Sequence, residues 1–148
     1  MRISTRGRYG LKAIVFIGAY GKDKCVSLRN ISEVEGISEN YLEQLISPLK
    51  KAGLVKSVRG AYGGYKLNKE PKDISVGDIL LALEGSLAPV ECVNKEGENS
   101  CSCGTNCGED CITKDVWEEI NSSVLFVVDN IPLEQLIEKY KMKSEKVI

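Results

Sequence analysis

Six cysteines and no histidine among 148 residues define the chemistry open to this chain. Five of the six, Cys92, Cys101, Cys103, Cys107 and Cys111, crowd one segment with the spacing C-x8-C-x-C-x3-C-x3-C. The absence of histidine removes the commonest general base and the commonest nitrogen ligand for metals. Thiols gathered in one segment of a chain long enough to bury its own core favour a metal site over a disulfide framework, given a reducing compartment. Zinc ribbons and knuckles usually present paired C-x2-C units, and none is present here. Iron–sulfur clusters take thiolates from a wrapping loop whose spacings vary widely. Cluster, zinc and disulfide stand as the three readings of this segment. Residues 85–111 also lose all hydrophobic periodicity, and their polar, glycine-bearing composition offers almost nothing to bury except a ligand. Cys25 lies alone, and a lone cysteine is ordinarily a small buried filler, so no role is assigned to it.

Charge divides the chain. Residues 1–70 carry 13 Lys and Arg against 6 Asp and Glu, whereas residues 71–148 carry 7 against 15. A basic half joined to an acidic half is the pattern of a protein that turns one part toward a polyanion. No apolar stretch approaches the ~20 residues of a membrane helix. The basic start, Met1 to Gly10, is followed by a short apolar segment that contains Lys12 and lacks a small-residue cleavage site. The expected location is therefore the cytoplasm, with no membrane partner.

The basic half reads as three helices. Between Ser4 and Tyr20, Leu11, Ile14, Val15 and Gly18 repeat at helical spacing, and Gly21 can close the helix. Ser27 is placed to cap a second helix carrying Leu28, Ile31 and Val34 on one face, which Gly36 stops. Ser38 is placed to cap a third, whose inner stripe is Tyr41, Leu42, Leu45, Ile46 and Leu49. Its outer face shows Glu39, Asn40, Glu43, Gln44, Ser47 and Lys50; Pro48 should bend or loosen its last turn, and Gly53 ends it. Two short helices around a tight turn form a helix-turn-helix, whose second helix enters the major groove. Ser, Asn, Gln and Glu side chains can all address base edges there.

Leu54 to Arg59 and Tyr65 to Leu67 then read as two strands around Gly60-Ala-Tyr-Gly-Gly64. A basic hairpin directly after a recognition helix is a wing, suited to phosphates or the minor groove. A nucleotide-binding reading of the glycines fails, because no Gly-Lys-Ser/Thr follows and no helix opens after the loop.

These residues carry a family resemblance. Ile3-Ser-Thr-Arg-Gly-Arg-Tyr-Gly-Leu11, Tyr41-Leu-Glu-Gln-Leu45, Ala52-Gly-Leu-Val55, Val58-Arg-Gly60, Gly63-Gly-Tyr65, Val76-Gly-Asp-Ile79 and Glu84-Gly85, with Cys111-Ile-Thr113 further on, are similar to the IscR/CymR-type winged-helix transcriptional regulators. The resemblance implies a dimeric DNA-binding regulator with an N-terminal winged helix and a long dimerisation helix. In the iron–sulfur branch a cysteine-ligated cluster lies between the two. Carried onto matching positions, it implies that the helix from Ser38, with Asn40, Tyr41, Glu43 and Gln44, faces bases. Arg59, Gly60, Tyr62 and Gly63 would meet the backbone and minor groove. Glu43 aimed at DNA would penalise wrong sequences as much as it rewards a cytosine. The iron–sulfur members show three cysteines separated by five residues each, then a histidine three positions after the last. This chain has Lys114 at the histidine's place. The expected ligands of a 2Fe–2S or 4Fe–4S cluster are therefore Cys92, Cys101, Cys107 and Cys111, with Cys103 the competitor for the third place.

Ile74 to Leu83 reads as a further helix with Ser75 as its cap. From Thr113 to Asp129 the apolar residues Val116, Trp117, Ile120, Val124, Val127 and Val128 cover more than one face. A helix apolar nearly all round is buried on both sides, and in so short a chain the second cover is expected to be the same helix of another copy. Pro132 starts a short helix, Leu133 to Ile137, and residues 141–148 read as a mobile tail.

The expectation is a mainly α protein with a small β-hairpin. A winged helix-turn-helix domain (1–84) precedes a cysteine-rich cluster-binding loop (85–111), followed by a dimerisation helix and tail (112–148). Its function would be that of a transcriptional regulator, a repressor rather than an enzyme. As a homodimer it would grip a pseudo-palindromic double-stranded operator according to the state of an iron–sulfur cluster. Two alternatives are a cluster-free regulator controlled by a protein partner from cysteine or cluster metabolism, and an electron carrier. The carrier would leave the wing unexplained.

Overall fold

The side chains wholly removed from solvent, among them Ile14, Ile17, Ile31, Leu42, Leu45, Ile79 and Leu133, come from five different helices, four of them packed around the long first one. The computed structural model describes residues 2–94 and 111–146. In chain order the elements are α1 (Thr5–Tyr20), α2 (Leu28–Glu35), α3 (Glu39–Lys51), β1 (Val55–Val58), β2 (Gly64–Leu67), α4 (Val76–Glu84), α5 (Lys114–Asp129) and α6 (Leu133–Glu145). Short 3-10 turns occupy Pro71–Asp73 and Glu91–Val93. The chain is thus mainly α with a two-stranded antiparallel hairpin, as the sequence leads one to expect. Helix α1 runs through the middle and packs against α3, α4, α6 and β2.

Local chemistry sets the helix ends. The Ser27 hydroxyl accepts from the Asn30 N–H, and Asn30 Oδ1 accepts from the Ser27 N–H, each at 3.1 Å. Ser75 and Asp78 repeat this reciprocal cap on α4 at 3.0 and 2.9 Å. Such a cap satisfies two helix N–H groups that otherwise have no partner. Ser38 Oγ accepts from the Tyr41 N–H and opens α3. At the other end Gly53 (φ +75°) donates to the Lys50 carbonyl, and Leu54 donates to that of Leu49. This pair of bonds turns the chain sharply into β1. Pro48 cannot donate to the preceding turn, yet α3 continues through Lys51.

Three expectations are corrected. Val34 does not share the inner face of α2: it is 63% exposed while Ile31 is fully buried. Residues three apart lag about 60° per step around a helix, so the third member of the series has left the core side. Ile74 is not helical. Its backbone is extended, and its carbonyl accepts from the Leu133 N–H at 2.7 Å, while the Val76 N–H donates to Ile131. These bonds tie the start of α6 to the start of α4. The helix after Pro132 is neither short nor followed at once by a loose tail, since α6 runs to Glu145. Its stripe extends through Tyr140, whose ring packs edge-on against Phe16 and Tyr20 with centroids 6.3 and 6.1 Å away. The Tyr140 hydroxyl donates to Glu35 Oε1 at 3.0 Å. Burial, and then this hydrogen bond, push its phenol well above the usual tyrosine range.

Helix α5 is different in kind. None of its residues is buried. Leu125 and Val128 pack on Val76, Leu80 and Leu87, but Val116, Phe126 and Val127 remain 52%, 70% and 55% exposed. Among the described residues no helix is long and apolar enough to cross a membrane.

The placement of α6 in the shared core has a measurable consequence. Leu133→Ala should cost about 2–5 kcal/mol, through lost transfer energy and the cavity left behind. Met142→Ala, on the exposed side of the same helix, should stay within about 0.5 kcal/mol. Urea unfolding of the two variants checks the contrast.

Candidate nucleic-acid interface and cysteine loop

The outer face of α3 is polar and open: Glu39, Asn40, Glu43, Gln44, Ser47 and Lys50 are all exposed. Its inner face buries Leu42, Leu45, Ile46 and Leu49, and this fixes the rotation of the helix and hence the direction of the polar row. Two of the expected base-facing residues have work inside the protein. Ser38 is engaged as the cap of α3. Tyr41 is half-buried; its ring meets Tyr9 edge-on at 6.1 Å, and its hydroxyl donates to Thr5 Oγ1 at 3.3 Å. The start of α1, with exposed Arg6 and Arg8, thereby lies beside the start of α3. Thr5 and Tyr9 escape a reading of sequence periodicity because the contact joins two helix ends. The available hint is the Arg-Gly-Arg-Tyr run at 6–9.

The hairpin is built as a wing. Its register pairs Val55 with Leu67, Lys56 with Lys66, Ser57 with Tyr65 and Val58 with Gly64. Val26 adds a further rung, exchanging two backbone hydrogen bonds with Tyr65 at 3.0 and 2.8 Å. The base of the hairpin is therefore fixed to the body while its tip projects. At the tip, Gly60 (φ +121°) accepts from the Gly63 N–H, Arg59 is exposed and Tyr62 is 96% exposed. Arg59 makes no ion pair among the described residues. An unpaired guanidinium beside a bare aromatic ring, on a narrow projection, is suited to phosphate and groove contacts.

Of the expected metal ligands, Cys92 and Cys111 belong to the described residues; Cys101, Cys107 and the competitor Cys103 lie outside them. Cys92 sits in the 3-10 turn at Glu91–Val93, which packs on α5. It borders a shallow cavity of about 290 Å³ whose wall includes Lys114, Glu118, Asn121 and Ser122. Cys111 stands just before α5, its carbonyl accepting from the Lys114 N–H at 3.1 Å. The two ends of the cysteine segment thus both meet the first turns of α5. A hydrogen bond with the Thr113 hydroxyl, at 3.4 Å, holds the Cys111 thiol below its usual range. A thiol inclined to ionise is a better metal ligand. Lys114 lies 3.8 Å from Glu118. As an ammonium it has no lone pair to offer, so it does not replace the missing histidine. Among the described residues no three His, Cys, Asp or Glu side chains come together as a metal site. The donor chemistry of the segment nonetheless fits an iron–sulfur centre, with five thiols and no competing imidazole between residues 92 and 111.

Comparison with known proteins accords with this geometry. Residues 3–139 match the Rrf2 family, described as iron-dependent transcriptional regulators. The chain is 42% identical to the HTH-type transcriptional regulator CymR of Bacillus subtilis over 136 residues, 92% of this chain and 89% of that one. The solved structure of CymR, the global cysteine regulator of B. subtilis, superposes with a TM-score of 0.75 at 40% identity, covering 94% of this chain and 98% of that one. T. potens IscR superposes with a TM-score of 0.71 at 41% identity, covering 95% and 88%. These relatives are regulators of transcription, not enzymes. A match that runs from Ile3, just before the first helix, to Lys139 in the last one leaves one conclusion: the chain belongs to the Rrf2 family of transcriptional regulators.

Proposed function

We propose that this protein acts in the cytoplasm as a homodimeric repressor whose grip on a pseudo-palindromic DNA operator is set by a cysteine-ligated iron–sulfur cluster. The observation that carries the reading is the histidine-free group of five thiols, rooted at both ends against α5, in a chain of a family described as iron-dependent. Cys92, Cys101, Cys107 and Cys111 would hold the cluster, 2Fe–2S or 4Fe–4S, with Cys103 competing for one place. When bound, such a cluster supplies an oxidant-sensitive cross-link between thiolates. The chain's own residues do the rest. The exposed row Asn40, Glu43 and Gln44 reads base edges, with Ser38 and Tyr41 fixing the end of the helix that carries it. Arg59, Gly60, Tyr62 and Gly63 form the tip that follows the backbone. The open apolar side of α5, with Phe126 and Val127, meets its copy across a two-fold axis, because an apolar stripe this exposed needs a cover. Two α3 helices then sit about one DNA turn apart. The division into a reading unit (1–84), a cysteine loop (85–111) and a pairing helix with its tail (112–148) follows from these roles, with α6 folded back onto the reading unit.

The likeness to CymR favours a second reading, in which the same DNA-binding frame works without a cluster under a protein partner from cysteine metabolism. Purification under anaerobic conditions separates the two. The protein should be brown and contain iron and sulfide in equal amounts, and Cys92→Ala or Cys111→Ala should lose both. A colourless protein holding one zinc ion, or no metal, removes the cluster from the account.

The interface residues separate by what they touch. Arg59→Ala should weaken operator and random DNA together and lower the salt-dependence slope by about 1, as loss of a phosphate contact does. Glu43→Ala should instead broaden sequence choice, read as a smaller ratio of specific to random affinity. Pairing through α5 is tested independently of DNA: Phe126→Asp should convert a dimer into a monomer in sedimentation, with the helical content kept.

A further inference from the structure

Helix α1 has no side-chain cap of its own. Ser4 stands at the cap position, but its hydroxyl is turned away and donates to Glu84 Oε1 at 2.6 Å. The same carboxylate oxygen accepts from the backbone N–H groups of Ser4 and Gly7, each at 3.0 Å. A carboxylate 80 positions away thus satisfies the first turn of α1, where the helix dipole favours negative charge. Gly7 permits the approach, since a Cβ there would collide with Glu84 Oε1 and with the Ile3 side chain. That first turn also carries Thr5, which receives the Tyr41 hydroxyl, while Tyr9 in the next turn holds the Tyr41 ring. Glu84 is the last residue of α4, and Leu83 and Leu87 on either side of it are buried. The cluster that Leu87 forms with Val76 and Leu80 packs against Ile3 and Leu11, and Cys92 follows Glu84 by eight positions.

We infer that Glu84 is a positioning residue for operator recognition. Its carboxylate fixes the first turn of α1, and through the Thr5–Tyr41 contact this turn fixes the N-terminal end of α3. The root of the cysteine segment and the reading face therefore share one hydrogen-bonded joint. The inference rests on the reading that α3 addresses bases.

The test is a double-mutant cycle on the full chain, with an operator selected from a pool of randomised duplexes. Glu84→Ala should lower operator affinity about tenfold while affinity for random DNA stays unchanged, and Glu84→Gln, which keeps an acceptor oxygen, should recover most of the loss. Tyr41→Phe removes the other side of the joint. If both act through it, the double variant should bind no worse than the weaker single one. Losses that add would show two independent contacts and overturn the inference. Unchanged operator affinity in folded Glu84→Ala protein would do the same. If Glu84→Ala does not fold, Ser4→Ala, which deletes one bond of the joint, replaces it in the cycle with the same expectation. A wild-type chain that enriches no duplex sinks the DNA reading, and the joint with it. One that enriches a site while the cycle adds sinks the joint alone.

Discussion

Everything in this molecule depends on the burial of α1. Ala13, Ile14 and Ile17 are completely shielded, and Val15, Phe16 and Ala19 nearly so, which no single packing surface could achieve. A helix apolar on so much of its circumference must be enclosed, and α3, α4, α6 and β2 each contribute a wall. The directions of the recognition face and of the wing are by-products of that enclosure. Helix α3 can bury its leucines only by turning its polar row outward. The hairpin can bury Val55 only by lying across the end of α3 and leaving its glycine-rich tip free.

Much of this was legible in the residues. Serine caps, a three-residue turn and the 3.6-residue recurrence of Leu42, Leu45, Ile46 and Leu49 suffice to place α2 and α3. The glycine spacing at 60, 63 and 64 suffices to place the wing. Legibility failed where the deciding partner is far away in sequence. Ile74 has the composition of a helix residue, but the backbone of Leu133 captures its carbonyl. Tyr140 lies among lysines beyond the expected helix end at Ile137, but Phe16 and Tyr20 give it a seat. Val34 fails for the opposite reason: a local spacing that looks amphipathic drifts off the core within two turns.

The same division runs through the candidate site. The exposed polar face of α3 follows from its buried face, so Asn40, Glu43 and Gln44 could be read directly. The capping duty of Ser38 could be read as well, but that of Tyr41 could not, because its partners, Thr5 and Tyr9, sit on another helix. For the cysteine segment, spacing alone names a set of donors. What the fold adds is the anchorage of both ends, Cys92 through a turn packed on α5 and Cys111 at that helix's first residues.

The rung between Val26 and Tyr65 has an effect beyond bracing the hairpin. A two-stranded ribbon normally offers outward-facing amides and carbonyls to any passing extended chain, an invitation to runaway stacking. Here the connection before α2 already occupies the side of β2 that would extend that invitation. An approaching strand is thereby left only the outer edge of β1, where one neighbour could add but a stack running through both sides of the ribbon could not.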